Sequence, residues 1–320
     1  MTITAFPKGA SSWGVPMTGG IPAGGKHYWV DPANGNNGNS GLDPMRPMDT
    51  VEAALARCTA GKNDTIHLRA NGQASGSSRD TATIAWSKDA THLVGECAPT
   101  HVSQRARIAP STAFTPLITI SGDGCQFENV QFFQGFAGAS VCTNVTGERN
   151  AFKNCHFAGI GHATAAAEAT SSSLLLVGDG ENTFYGCTIG LDTITRSAAC
   201  AELELTTAAV RNSFTKCKFI TMTDDATSLF IKADASGDLD RYTILDDCLF
   251  INAVASTSTT MTAATDVHAT AGGMLIFNNC TLIGATDWEA ADSTNIWLAG
   301  HGQQASGDLL TGIAHTLDVA

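Results

Sequence analysis

The fold is decided by a six-residue phrase that reads Phe152-Lys-Asn-Cys155-His-Phe157 and returns at a nearly constant interval. Four later copies are Phe184-Tyr-Gly-Cys187-Thr-Ile189, Phe214-Thr-Lys-Cys217-Lys-Phe219, Leu245-Asp-Asp-Cys248-Leu-Phe250 and Phe277-Asn-Asn-Cys280-Thr-Leu282. Their cysteines are 30 to 32 residues apart, and an earlier copy, Phe127-Glu-Asn-Val130-Gln-Phe132, carries Val instead. A fixed period of about 20 to 50 residues is typical of a solenoid, whose repeats bury their apolar faces against one another.

The phrase itself predicts two short strands joined by a corner. The Cys and the apolar residue two positions later share one side of an extended strand, whereas the first Phe or Leu has the opposite parity. Both can face one interior only if the chain bends just before the Cys. That position holds residues that tolerate left-handed backbone in five copies and Lys216 in the sixth: Asn129, Asn154, Gly186, Asp247 and Asn279. We therefore predict the corner of a parallel β-helix, with about 4.8 Å between coils.

Further strands are predicted between the phrases, where Gly and Asp clusters mark turns. The candidates are 27–30, 65–68, 83–86, 92–94, 116–120, 173–177, 201–205, 228–231 and 295–298. The leucine-rich repeat is the rival solenoid, but its Leu-x-x-Leu-x-Leu frame is absent. The predicted fold class is all-β, a right-handed single-stranded parallel β-helix whose N-terminal cap contains a short helix. The repeat is expected to fade after Cys280.

Four segments are predicted along the chain. Residues 1–26 are rich in Gly and Pro and form a flexible arm that orders against a partner. Residues 27–72 form the cap, with a helix over 50–59 that Asp49 and Glu52 begin as a capping box and Gly61 ends. The β-helix itself spans 73–290, and 291–320 hold a last strand and a polar tail.

Composition excludes several classes of function. The formal charge of −12 argues against a nucleic-acid partner, because phosphate contacts need Lys and Arg. No apolar run reaches the length of a membrane span, and the N-terminus lacks a secretory signal, so synthesis in the cytoplasm is expected. The column of cysteines is interpreted as buried free thiols, since one Cys per coil without paired His does not form a metal site. No metal and no cofactor are expected.

A second stretch carries a resemblance to a known family. It comprises Tyr28-Trp-Val-Asp-Pro-Ala-Asn-Gly-Asn-Asn-Gly38, Gly41-Leu-Asp-Pro44, Pro47, Thr50-Val51, Ala54-Leu55 and Asp64-Thr-Ile66. These residues resemble the N-terminal module of pectate-lyase-like β-helices, a module shared with phage tailspikes and other virion proteins. The chain as a whole is most similar to the trimeric cement proteins that decorate bacteriophage heads.

The resemblance implies a homotrimer on the capsid surface of a virion, with the major capsid protein as partner. It implies a structural protein, made in the host cytoplasm, that stabilises the capsid mechanically. Aromatic residues and prolines of a flexible arm are good anchors for a partner's pockets. We therefore predict that capsid contacts come from the arm, through Phe6, Pro7, Trp13, Pro16 and Pro22.

The alternative is a tailspike-like protein that binds or cleaves a host surface polysaccharide, as a glycoside hydrolase or polysaccharide lyase. Its candidate catalytic residues are Glu202, Glu204, Asp224 and Asp225. The structural interpretation places both glutamates on a solvated outer face with Leu203 and Leu205 inward, and both aspartates in a turn. No Lys or Arg is placed by a motif as a lyase base, so a non-enzymatic role is expected. His156 is expected at the surface. A third hypothesis is a spike that binds glycan without cleavage.

Overall fold

The computed structural model describes residues 24–73, 76–178, 180–252, 259–289 and 295–300, together with the backbone of 11–12, 15–16 and 315–316. The chain coils through three parallel sheets, and each coil adds one strand to each sheet. The predicted parallel β-solenoid is thereby confirmed, while its hand stays a prediction.

Strands are numbered in chain order. The first sheet contains β3 (His27–Val30), β4 (Asp64–Arg69), β7 (Thr91–Glu96), β10 (Gln126–Glu128), β13 (Ala151–Lys153), β16 (Thr183–Tyr185), β19 (Ala209–Thr215), β22 (Leu239–Asp246), β25 (Gly272–Asn278), β28 (Ile296–Ala299) and β29 (His315–Thr316). Of these only β29 runs antiparallel to its neighbour. Outside the solenoid, β1 (Ser11–Ser12) and β2 (Val15–Pro16) form a two-stranded antiparallel ribbon.

The second sheet contains β5 (Ser78–Asp80), β8 (Arg107–Pro110), β11 (Gln131–Phe133), β14 (His156–Ala158), β17 (Thr188–Ile189), β20 (Lys218–Thr221), β23 (Leu249–Asn252) and β26 (Thr281–Ile283). The third contains β6 (Ile84–Trp86), β9 (Ile118–Ile120), β12 (Val141–Val145), β15 (Ser172–Val177), β18 (Ala201–Thr206), β21 (Leu229–Ala233), β24 (Met261–Val267) and β27 (Ala285–Glu289). Two helices are described, α1 (Val51–Arg57) and α2 (Ala163–Ala166).

The repeated phrase forms the corner between the first and second sheets, as predicted. The residue before the Cys has a left-handed backbone in all six copies: Asn129 (φ 58°), Asn154 (49°), Gly186 (62°), Lys216 (54°), Asp247 (52°) and Asn279 (51°). Lys216 therefore adopts the corner conformation although its side chain does not favour it. Parallel pairing then brings each copy of the phrase directly over the previous one.

The interior is a set of columns of identical or similar side chains. Phe127, Phe152, Phe184 and Phe214 stack with ring centroids 5.0, 4.7 and 4.4 Å apart. The column cysteines are buried and free, and each thiol donates to a main-chain carbonyl of the previous coil, as Cys187 does to Phe152 over 3.4 Å. Burial raises the pKa of the Cys187 thiol well above its usual value. The column thiols pack in the interior as small apolar groups.

The cap differs from its prediction in how α1 begins and ends. Thr50, not Asp49, is the N-cap residue, because its Oγ1 accepts from the Ala53 amide over 3.3 Å. The helix ends at Arg57 rather than near Gly61. Its last carbonyls are capped by the Lys88 ammonium, which donates to Leu55, Ala56 and Cys58 within 2.9 Å. A lysine from the next coil thus caps the C-terminal end of α1.

The phrase does not return after Cys280, and the last strand predicted at 295–298 is present as β28. Strands β26 and β27 complete another coil, and β28 pairs with β25 one coil further on. At the other end of the chain, Phe6, Pro7, Trp13 and Pro22 lie outside the described residues, and only the backbone is described at Pro16. None of the helices in the described ranges is long and apolar enough to cross a membrane.

Candidate functional site

The outer face of the third sheet carries a column of charged side chains. Parallel pairing in register places Glu204 of β18 beside Lys232 of β21, and Lys232 beside Asp266 of β24. The Lys232 ammonium also lies 3.1 Å from an Oδ of Asp234, two residues further along β21's path. Three successive coils therefore bring one cation and three carboxylates together, although Glu204 and Lys232 are 28 residues apart and Lys232 and Asp266 are 34 residues apart along the chain.

A cavity of about 360 Å³ opens beside this column. One wall is apolar and is built from the segments that lead into β18, β21 and β24, with Ala199, Ala226 and Leu229 among its residues. Lys232, Asp234 and Asp266 also line the cavity. An apolar wall facing a few charged groups is the usual composition of a small-ligand site.

Two carboxyl groups of this column, Glu204 beside Lys232 and Asp266 on the cavity lining, hold their protons more tightly than usual. Burial raises the pKa of Glu204, and Asp234 and Asp238 add to the rise while Lys232 opposes it. Burial likewise raises the pKa of Asp266, with a further contribution from Asp234. Carboxyl groups with raised pKa values in a cavity are candidates for proton donation or for binding hydroxyl groups.

Glu202 is not on a solvated face, so that part of the sequence interpretation is wrong. Its side chain is 1% exposed and pairs with the Arg196 guanidinium, itself fully buried, over 2.8 and 2.9 Å. The other carboxylate oxygen accepts from the Ser173 hydroxyl over 2.6 Å. The backbone at Gly190 lies so close that a Cβ there would be 2.7 Å from the carboxylate. The segment that follows β17 thus covers Glu202 completely.

Arg196 joins several segments through its remaining donors. Its NH1 group donates to the carbonyls of Ile160 and Ile194, and its NH2 group donates to that of Leu191. A buried ion pair contributes to stability only when all of its polar atoms are satisfied in this way. The pair therefore fixes the segment between β17 and β18, which ends at the cavity wall, and it leaves Glu202 no free oxygen for chemistry.

Asp224 and Asp225 lie in a turn, as the structural interpretation predicted. Asp225 accepts from the amide and the hydroxyl of Thr227, and these bonds lower the pKa of its carboxyl group. Asp224 is exposed. Of the four predicted catalytic residues, only Glu204 faces the charged column. Lys232, Asp234 and Asp266 were missed, because no linear motif joins residues of successive coils.

His156 is buried rather than exposed. The segment 97–106 crosses the outer face of the second sheet, where the Ser103 amide donates to Nδ1 of His156 over 3.0 Å. Nε2 of His156 donates to the Gly190 carbonyl over 2.9 Å. Burial lowers the pKa of this imidazole to about 4, so it is neutral near pH 7. Strand parity correctly predicted that His156 faces away from the Cys155 side of its strand, but a segment from another coil covers it.

Comparison with solved structures finds proteins with a similar fold. Pectate lyase Pel9A aligns with a TM-score of 0.59 and 16% identity over 92% of this chain and 74% of its own. The solenoid has a fold similar to that of this pectate lyase. Pectin methylesterase PemA from Erwinia chrysanthemi aligns with a TM-score of 0.59 and 16% identity over 89% of this chain and 91% of its own. A pectin methylesterase in complex with a hexasaccharide gives 0.58 and 16% over the same shares.

At this identity the likeness of the pectate-lyase-like chain to these enzymes concerns the fold alone. No protein-family model matches the sequence, and no curated protein sequence matches it either. Among the residues that the structure describes, no group of three or more His, Cys, Asp or Glu is arranged to hold a metal ion.

Proposed function

We propose that this pectate-lyase-like solenoid is a structural protein of a bacteriophage virion. In this proposal it is a homotrimeric decoration protein that binds the major capsid protein on the outer capsid surface. The proposal is supported by the resemblance of residues 28–66 to the N-terminal module of pectate-lyase-like β-helices, a module that phage tailspikes and other virion proteins share. A structural role also agrees with the positions of the candidate catalytic carboxylates, which do not form one site. Glu202 is buried in an ion pair, whereas Asp224 and Asp225 lie in a turn.

The observation that carries the proposal is the rigid attachment of the N-terminal segment. The Lys26 amide donates to Oδ1 of Asp64 over 2.7 Å, and the Lys26 carbonyl accepts from the Thr65 amide over 2.8 Å. A Cβ at Gly25 would lie 2.1 Å from the Asn63 carbonyl oxygen, so only glycine fits there. The chain at Gly25 and Lys26 is therefore held at a fixed point on the capped end of the solenoid.

In this proposal the N-terminal arm begins at this fixed point and tethers the solenoid to the capsid. Three arms on one trimer convert the second and third contacts into intramolecular ones, which raises the apparent affinity without new contact chemistry. The solenoid then acts as a rigid body that links neighbouring capsid subunits and resists their separation.

The test is binding to expanded phage heads that lack this protein. We expect saturable binding of the full chain and loss of binding when residues 1–23 are deleted, with the Gly25–Lys26 attachment left in place. Trp13→Ala should weaken binding, whereas Tyr185→Ala, on the exposed face of the first sheet, should not. Undiminished binding of the deletion variant, measured alongside unchanged thermal unfolding, contradicts the arm hypothesis.

A second candidate function is favoured by the cavity on the third sheet. Its volume suits one or two sugar rings, and Glu204, Lys232 and Asp266 offer both donors and acceptors to hydroxyl groups. Several solved structures of the same fold are of enzymes named for pectin or pectate. We propose as the alternative that this face binds, or cleaves, a host surface polysaccharide.

Glu204→Gln and Asp266→Asn test this alternative, with Asp224→Asn as the matched control on an exposed turn. Cleavage would appear as new reducing or unsaturated ends on a host polysaccharide, and both variants of the charged column should abolish it while the control does not. Saturable binding without new ends would identify a non-catalytic spike. Equal behaviour of all three variants rules the cavity out as the glycan site.

A further inference from the structure

The capped end carries a stack of two histidines and a tryptophan beside the point where the N-terminal segment joins the solenoid. His27 and Trp29 lie on β3, and His67 lies on β4 directly opposite Trp29. The rings of Trp29 and His67 are stacked, with centroids 5.1 Å apart and planes inclined by 13°. Nδ1 of His27 lies 2.8 Å from Nε2 of His67, so the two imidazoles share one hydrogen bond.

The proton positions in this bond follow from the surrounding charges. Nδ1 of His67 lies 3.3 Å from Oε1 of Glu96, and the same carboxylate accepts from the Arg69 guanidinium over 3.2 Å. With Glu96 ionised, Nδ1 of His67 carries a proton, which leaves Nε2 of His67 as the acceptor and Nδ1 of His27 as the donor.

The stack can accept one proton but not two. With one added proton, one ring nitrogen of the shared bond can still accept, and the bond survives. With two added protons, both nitrogens of the bond, 2.8 Å apart, carry an N–H. Two N–H groups of two cations then point at each other, so the rings must separate. The pair therefore has a closed state and an open state that differ by protonation.

We propose that the His27–His67 pair is a proton-sensitive clasp that releases the N-terminal end of β3 at acidic pH. The release frees the segment before His27 while the solenoid stays folded, because Tyr28 and Val30 remain buried in the core. The proposal adds pH control to the arm described above, but it concerns the isolated protein and stands without any capsid.

The charged groups around the pair oppose one another. Glu96 favours protonation of His67, whereas Arg69 and His27 disfavour it, and burial lowers the pKa of His67 most of all. Because the pKa of His67 is lower in the folded than in the unfolded state, the folded clasp binds fewer protons on acidification and loses stability as the pH falls below about 6.5. Asp64, which accepts from the Lys26 amide, is the other acid at this end.

Amide hydrogen exchange measures the clasp directly. The Thr65 amide donates to the Lys26 carbonyl, and the Met48 amide donates to the Trp29 carbonyl in the same strand. After correction for intrinsic rates, we expect the protection of Thr65 to fall up to about tenfold per pH unit below the pKa of His67, while Met48 stays protected. His67→Gln, which keeps a donor for Glu96 and an acceptor for His27, should abolish the fall, and His268→Gln should leave it unchanged.

Three results would overturn the proposal. Thr65 protection that is independent of pH contradicts it, as does an equal fall in His67→Gln, which would assign the opening to Asp64 instead. A simultaneous fall at Met48 would show general unfolding of the cap. If the Met48 amide of His67→Gln is unprotected at neutral pH, that variant has lost the fold of the cap. His27→Gln is then used instead, because it too leaves only one histidine in the hydrogen-bonded pair.

Discussion

At the scale of single residues, two buried carboxyl groups show opposite solutions to the cost of burial. Glu202 pairs with Arg196, and each of its oxygens has a partner. Asp80 is 2% exposed, its Oδ2 lies 3.4 Å from the Ser78 hydroxyl, and its Oδ1 has no hydrogen-bond partner among the described residues. Burial, with Glu52 and Asp49 nearby, raises the pKa of Asp80 to about 7. Asp80 is therefore protonated below neutrality.

This pKa sets a direction for the pH dependence of stability. Between about pH 4 and pH 7 the folded state keeps a proton that the unfolded state has lost, so the free energy of unfolding falls as the pH rises. We predict that Asp80→Asn increases the free energy of unfolding by about 1–3 kcal/mol at pH 8.5 and changes it little at pH 4. Urea unfolding at both pH values measures the difference.

Asp224→Asn is the control for this prediction, since it makes the same chemical change at an exposed carboxyl group. A stabilisation by Asp80→Asn that is equal at both pH values would mean that the carboxyl does not titrate in this range.

Strand parity predicted single residues well only where no other segment passes over them. Leu203 and Leu205 are inward as predicted, but Glu202 and His156 are covered by segments from outside their own strands. The path of such a segment depends on long-range contacts, such as those of Arg196, that a periodic pattern does not encode. Buried polar residues were for this reason the main errors of the sequence analysis.

At the scale of elements, the corner between the first and second sheets is the most regular part of the chain. Its left-handed residue is Asn, Gly or Asp in five copies, and Asn279 donates to the Asp247 carboxylate of the previous coil. Lys216 adopts φ 54° without such help. A left-handed backbone costs an ordinary residue about 1–2 kcal/mol, so this coil carries a local penalty.

We predict that Lys216→Gly increases the free energy of unfolding by about 0.5–1 kcal/mol, because glycine adopts this conformation without strain. Lys218→Gly, two residues later on β20, should decrease it by a similar amount, since glycine weakens a strand. Thermal or urea unfolding of both variants measures the contrast. Destabilisation by both would mean that the Lys216 side chain contributes contacts that outweigh the strain.

The elements that sequence analysis found and missed differ in side-chain size. Strands with large alternating residues, such as β15 and β18, were predicted almost to the residue. Strands β12, β24 and β27 were missed, and β12 and β24 bury Cys, Thr and Ala among their inward residues. Small side chains suffice there because neighbouring coils already fix the register, so local propensity carries little signal.

At the scale of the whole molecule, the solenoid is a line of coils in which each contacts only its neighbours. Its N-terminal end is covered by α1, whereas β26 and β27 have no further parallel neighbour among the described residues. Stability is then expected to decrease toward the C-terminal end, where opening of a coil exposes one interface instead of two.

The ten free cysteines make this gradient measurable. Nine are buried, and Cys97 is half-buried. We predict that a thiol reagent labels Cys97 first, then Cys280 of the last phrase, and Cys187 much later, because the thiol must open to the solvent before it ionises. Mass spectrometry of labelled peptides over time gives the order, with Cys97→Ser as the control that removes the fast phase.

Labelling of Cys280 and Cys187 at one common rate would contradict this gradient, since it would mean that the coils open together as a single cooperative unit.

The constant register of the corner phrase also fixes how such a molecule can change length. Each coil repeats the same hydrogen-bonded positions on the coil before it, so a duplicated or deleted coil leaves the columns of Phe and Cys continuous. The length of the solenoid can therefore change by whole coils, each of which adds or removes about 4.8 Å. Related chains could match the spacing of a surface they span by gaining or losing whole coils, with both ends and the corner chemistry unchanged.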